Sequence, residues 1–144
     1  MSHALLQRFV LSVRRHELWN ADARLMVAVS GGLDSLVLLD LLVATKGLLG
    51  GILSVCCVDH GVRGEEGKAD LVLVSGVCHQ YDVPFHPVTL MNESTDEATL
   101  RVKRYAALQD VAGDALILTA HHADDQFETM LINLVRGSGP KGLA

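Results

Sequence analysis

The chain has 144 residues, the size of one ordinary domain, and 49% of them are apolar, enough to build a single core. Its formal net charge of −5 excludes a module that grips RNA unaided, because neutralising phosphates calls for a basic excess. The apolar runs are broken by Gly or Asp and fall well short of the ~20 residues of a membrane span. Residues 1–20 also lack the unbroken apolar stretch of a secretory signal, so a cytoplasmic protein with no membrane partner is expected.

In chain order, residues 4–18 read as an amphipathic helix with Leu5, Phe9, Val13 and Leu18 near one face. Residues 25–29 form a short β-rich run ending in a glycine turn, and residues 36–44 continue as a helix. Residues 52–58 are an apolar run with β-branched residues, as in a strand buried on both faces. Within it lie the adjacent Cys56 and Cys57; with Cys78 they make three cysteines and no C-x-x-C pair, the usage of buried free thiols. A polar, glycine-bearing loop over 59–68 leads to a helix over 69–81, a strand over 85–90 and a helix over 96–111. A fourth strand over 115–119 and a last helix over 123–135 complete the series. Repeated βα units of this length predict an α/β fold with a parallel sheet and right-handed crossovers. The chain closes on Gly137-Ser138-Gly139-Pro140-Lys141-Gly142-Leu143-Ala144, a loop composition, and is therefore expected to be the front part of a longer protein.

Four segments carry chemistry. Ser30-Gly31-Gly32-Leu33-Asp34-Ser35 follows the first strand and opens a helix. Glycines let backbone N–H groups approach a ligand, and the helix start turns its open N–H groups and positive dipole end toward an anion. Asp34 would repel a phosphate alone but suits one bridged by Mg²⁺. A purely structural reading stays open, in which Asp34 or Ser35 caps the helix and the glycines only make the turn. The pattern is neither a Walker loop nor a dinucleotide fingerprint. The second segment, Val58-Asp59-His60-Gly61-Val62-Arg63-Gly64, stands at the carboxyl end of the second strand, where doubly wound sheets collect ligands. In the third, Arg101, Arg104 and Tyr105 fall at i, i+3 and i+4 on one helical face, an arrangement suited to a phosphate or a developing negative charge, although exposed helical arginines are often merely solvated. In the fourth, Thr119-Ala120-His121-His122-Ala123-Asp124-Asp125-Gln126-Phe127-Glu128-Thr129, residues His121, Asp124, Asp125 and Glu128 share one stripe if the helix reaches back to His121. Such a stripe repels itself unless Mg²⁺ or a substrate ammonium lies between its members.

The Ser-Gly-Gly-x-Asp-Ser run resembles the pyrophosphate-binding motif of the N-type ATP pyrophosphatases, the PP-loop superfamily. The later segments resemble those of the tRNA(Ile)-lysidine synthetase family: Asp59-His60-Gly61-Val62-Arg63 with Val where Leu is usual, Leu100 where the basic helix usually has Ala, and the Thr119–Thr129 stretch followed by Leu131 to Gly139 and the terminal Gly139 to Ala144. Gly67 and Asp70 match only loosely the Ser and Glu that follow in the family. The resemblance covers residues 25–144 and implies an adenine-nucleotide α-hydrolase-like, Rossmann-like parallel sheet. Its last strand would lie beyond Ala144 beside the fourth, and helical tRNA-binding domains would follow. It implies ATP and Mg²⁺, and a two-step reaction on tRNA(Ile) with a CAU anticodon. The wobble cytidine is adenylated at its C2 carbonyl with release of pyrophosphate. The amine of free L-lysine then displaces AMP, changing decoding from AUG to AUA. By that likeness Ser30, Gly31, Gly32, Leu33, Asp34, Ser35, Asp59, His60, Arg63 and His121 would bind ATP. Asp34, Asp124 and Asp125 would hold metal; Arg101 and Arg104 would stabilise charge; Asp124, Asp125 and Glu128 would hold metal or lysine. Full-length members of the family act as dimers. A thiolating or amidating PP-loop enzyme, or a non-catalytic nucleotide-binding module, remain the rival readings.

Overall fold

A computed structural model describes residues 2–61, 64–91, 96–122 and 130–135. Helix α1 (His3–Arg15) begins at Ser2, whose hydroxyl accepts the Leu5 N–H. Strand β1 (Arg24–Ala28) runs into α2 (Leu33–Leu49), followed by β2 (Ile52–Asp59), α3 (Glu65–Tyr81), β3 (Phe85–Thr89), α4 (Glu97–Ala112), β4 (Leu116–His122) and β5 (Met130–Val135). The sheet order is β3-β2-β1-β4-β5, with β1 to β4 mutually parallel, as the βα alternation requires. Helices α2 and α3 begin earlier than the periodicity suggested, and the loop after β2 is correspondingly shorter. Their first turns carry Asp34 and Glu65–Glu66, acidic residues that a helix N-terminus favours.

Successive strand residues point to opposite faces, and the core divides accordingly. Leu25, Val27 and Val29 of β1 and its exit pack with Leu38, Leu39, Leu42, Val55, Val74 and Leu118 under α2 and α3. Met26 packs on the other face with Cys56, Ile117, Tyr105 and Leu108 under α4. Helix α2 is apolar nearly all round, with Leu38, Leu39, Leu41 and Leu42 all buried, so its outer side needs a cover. Phe9 and Val13 of α1 supply it.

The last element differs from expectation. Residues 130–135 form an antiparallel strand, with Met130 opposite His122 and Val135 opposite Ile117, rather than the end of a helix over 123–135. Met-Leu-Ile-Asn-Leu-Val is an apolar run whose length and β-branching suit either state. Pairing with the open edge of β4 satisfies backbone groups on both strands, an advantage visible only once the sheet exists. The outer edge of β4, expected to be unpaired, is therefore occupied. His121 lies in β4, so no helix reaches back to it; Asp124, Asp125 and Glu128 of the expected stripe fall outside the described residues.

All three cysteines are free and buried, as their spacing indicated. Burial pushes the Cys56 thiol up from 9.0 to about 11. It pushes Cys57 to about 12, with Cys56, Asp70, Asp59 and Cys78 adding smaller charge effects. A folded-state value raised above the unfolded one means that the neutral thiol's contribution is complete below pH 9 and is lost as pH rises toward 11 to 12. The urea midpoint should thus fall between about pH 8 and about pH 10.5, and less so in a Cys57→Ala background. Iodoacetamide at about pH 8 should leave Cys56 and Cys57 unmodified while labelling both in urea; equal labelling would contradict their burial.

Candidate functional site

Strand β1 lies between β2 and β4, and the chain leaves it through α2 on one face while α4 returns to β4 on the other. The loops at the carboxyl ends of β1 and β4 diverge there, opening a crevice at a topological switch point. A cavity of about 470 Å³ occupies that place. Its back wall is the row Cys56, Ala28 and Thr119, neighbours across three strands, with Leu108 and Arg104 of α4 above them. Its front is the glycine turn, Ser30 to Gly32 with Ser35, and its far side is Asp59, His60, Gly67 and Asp70.

The turn is held by its own serines. The Ser30 N–H donates to Ser35 Oγ at 3.2 Å, Ser35 Oγ donates to the Gly32 carbonyl at 2.8 Å, and the Gly32 N–H donates to Ser30 Oγ at 3.3 Å. Ser35 is buried and serves as the lock, whereas Ser30 is exposed toward the cavity. Gly31 has φ +83°, a left-handed conformation that side chains disfavour. Gly32 is the N-cap of α2 and brings no side-chain cap, and Asp34 and Ser35 lie inside the first turn rather than at the cap position. A helix start of this kind behind a glycine turn has the open N–H groups and positive dipole end that favour an anion.

Two carboxylates press on this region through glycines. A Cβ on Gly31 would lie 2.7 Å from Asp70 Oδ1, and one on Gly67 would lie 2.2 Å from Asp59 Oδ1. Asp59 is buried and accepts the Gly61 N–H at 2.9 Å, so its carboxylate is fixed at the cavity edge. Thr119 Oγ1 is buried in the wall without a hydrogen-bond partner among the described residues.

Of the residues singled out in the sequence, Ser30, Gly31, Gly32, Ser35, Asp59, His60 and Arg104 come together around the cavity. Asp34, half-buried in the first turn of α2, is not among its lining residues, and Leu33 points outward, 76% exposed. Arg101 is exposed one turn out from Arg104. Arg63 and the His121 side chain lie outside the described residues. Gly67, Asp70, Thr119 and Leu108 also line the cavity and were not singled out as site residues. The available signal for two of them was the i, i+3 spacing of Gly67 and Asp70 on α3, which places both on one face. Gly31→Ala should weaken binding of any anionic ligand at least ~5-fold, because it forces both a left-handed alanine and a displaced Asp70. Titration with pyrophosphate checks this, and an unchanged affinity would remove the turn from the site.

Among the described residues no helix is long and apolar enough to cross a membrane, and no group of three or more His, Cys, Asp or Glu is placed to hold a metal. In sequence, residues 37–40% identical to this chain occur in proteins named tRNA(Ile)-lysidine synthase. In the Novosphingobium aromaticivorans protein the identity is 40% over 136 residues, covering 88% of this chain and 40% of that protein. In the Zymomonas mobilis protein it is 40% over 133 residues, covering 85% and 38%. In the Nostoc protein it is 37% over 144 residues, covering 98% and 41%. The chain thus spans about two fifths of the length of these relatives. A solved structure of the U34-tRNA thiolase NcsA from Methanococcus maripaludis with its [4Fe-4S] cluster superposes with a TM-score of 0.68 at 20% identity, over 85% of this chain and 45% of that one, a likeness of fold. The model of the PP-loop domain family matches residues 4–144, which with the glycine turn and the switch-point cavity places the chain in that family: it is a PP-loop domain protein.

Proposed function

We propose that residues 1–144 are the ATP-handling, N-terminal PP-loop domain of a tRNA(Ile)-lysidine synthase. The observation that carries this is the cavity itself, in which an uncapped helix start and a glycine turn face a half-buried arginine across a floor of small side chains. Its volume suits a nucleotide. The relatives named above support the choice of lysidine formation over other PP-loop chemistry. The buried thiols and the lack of a C-x-x-C pair disfavour the thiolating alternative.

In this reading the turn and the α2 N-terminus take the pyrophosphate end of ATP, and the α-phosphate faces Arg104. The carbonyl oxygen at C2 of the wobble cytidine attacks the α-phosphorus, pyrophosphate leaves, and the amine of L-lysine then displaces AMP from C2. Arg104, and Arg101 outside it, offset charge during transfer. Mg²⁺ commonly takes one or two carboxylates plus phosphate oxygens, so a bound nucleotide would complete a site begun by protein carboxylates. Asp59 and Asp70 stand at the cavity, and Asp34 beside it in the α2 first turn. Asp124, Asp125 and Glu128 are assigned to metal or to the lysine ammonium. A net charge of −5 is unsuited to gripping tRNA, a task this reading gives to the remainder of a longer, dimeric, cytoplasmic protein.

Calorimetry with ATP and Mg²⁺ is expected to show binding that Asp34→Ala weakens; equal affinity would end the metal role of Asp34. In the longer protein, Asp125→Asn and Glu128→Gln should leave ATP binding in place and abolish lysine-dependent AMP release. Normal lysidine formation in both variants would remove that cluster from the reaction. Incubating CAU-anticodon tRNA with lysine or with a sulfur donor separates ligation from thiolation by the product formed.

A further inference from the structure

On α4, Arg101, Arg104 and Leu108 form one stripe at i, i+3 and i+7, and burial rises steadily along it. Leu108 is 1% exposed inside the cavity wall, Arg104 is half-buried at its lining, and Arg101 is exposed outside. Beside this stripe lies Tyr105, 8% exposed and packed with Met26, Cys56 and Ile117. The Arg104 Cζ stands 5.4 Å from the Tyr105 ring centroid, and the Arg101 Cζ stands 5.8 Å from it. Among the described residues neither guanidinium has a carboxylate partner.

We infer that Tyr105 is the positioning residue of the site: its ring, anchored in the core under α4, holds the Arg104 guanidinium against the cavity with an N–H fork that no described carboxylate occupies. This inference rests on the ATP-binding reading above. A carboxylate partner would fix an arginine just as well but would occupy the fork that must meet a phosphate. An aromatic face attracts the guanidinium through the ring quadrupole and leaves the in-plane donors open. A long side chain otherwise samples many rotamers, and ordering it on binding would reduce affinity. Core packing fixes the ring, so the ring lowers that cost for Arg104. The same ring keeps Arg101 one turn farther out, along the path by which a polyanionic second substrate would approach.

The test is ATP·Mg²⁺ titration of this chain carrying Tyr105→Met, Tyr105→Phe, Arg104→Gln and the double variant Tyr105→Met/Arg104→Gln. Lys103→Gln removes a cation from another face of the same helix and serves as the charge control. Tyr105→Met is expected to weaken ATP about 3- to 20-fold, Tyr105→Phe to restore wild-type affinity, and Tyr105→Met to add little once Arg104 is gone. If Tyr105→Met does not fold, phenylalanines carrying one, two and three fluorines at this position keep the shape and drain the quadrupole. Affinity should then fall stepwise with fluorination. A flat fluorine series, an unchanged Tyr105→Met, or full additivity with Arg104→Gln would each overturn the positioning role. Absence of ATP binding in the wild-type chain would instead overturn the functional reading beneath it.

Discussion

Gly67→Val is expected to lower the stability of the chain by about 2–3 kcal/mol, a fall of about 5–10 °C in Tm, and to impair nucleotide binding as well. Gly67 is buried in the first turn of α3, and a Cβ there would meet Asp59 Oδ1 at 2.2 Å, Cγ at 2.6 Å and Oδ2 at 2.9 Å. All three carboxyl atoms are too close, so rotating the carboxylate in place brings no relief. The Asp59 backbone cannot retreat, because its carbonyl accepts the Leu90 N–H at 2.8 Å and its strand is paired on both sides. The side chain must therefore swing away, give up the Gly61 N–H and alter the cavity edge. Valine's better helix propensity offsets only a few tenths of a kcal/mol of this. Asp59→Ala in the same chain removes the obstacle, so the double variant should recover much of the stability lost. A double variant no more stable than Gly67→Val alone would show that the contact is not the cause.

Leu39→Ala should cost about 2–5 kcal/mol, because the side chain is 0% exposed between the sheet and the second layer of helix and its removal leaves a void. Domains of this size are stable by only ~5–15 kcal/mol, so a Tm loss of about 6–15 °C is expected. Leu48, on the same helix, is 63% exposed, and Leu48→Ala should change stability by no more than about 0.5 kcal/mol. The contrast in thermal melts tests whether α2 is buried on the sides assigned to it. Similar effects of the two substitutions would mean that its orientation is wrong. The hydrogen bond from Arg14 Nη2 to the Leu48 carbonyl uses backbone and survives either change.

Local physics made much of this protein legible from its residues alone. Short apolar, β-rich runs and longer segments set apart by turn residues placed eight of the described elements, because strands buried on both faces and helices of an α/β layer differ in length and apolar spacing. The Ser30–Ser35 turn was legible because glycine is demanded by backbone geometry, and its chemistry follows from a helix start that any tertiary context would leave polar. The parallel order followed from βα alternation, which fixes the hand of crossovers. What the sequence left open was settled by contacts between residues far apart in the chain. Residues 130–135 pair with β4 because a free strand edge outweighs a weak helical pattern, and that edge exists only after the sheet has assembled. Asp59 with Gly67 and Asp70 with Gly31 meet only because α3 packs its first turns against the ends of β1 and β2. Likewise, spacing put Arg101 and Arg104 on one face, but only the lie of α4 across the sheet turned Arg104 into the cavity and left Arg101 in solvent. Periodicity reports which face of an element is buried; which distant residue it meets depends on how the layers dock, a long-range outcome that spacing along the chain does not carry.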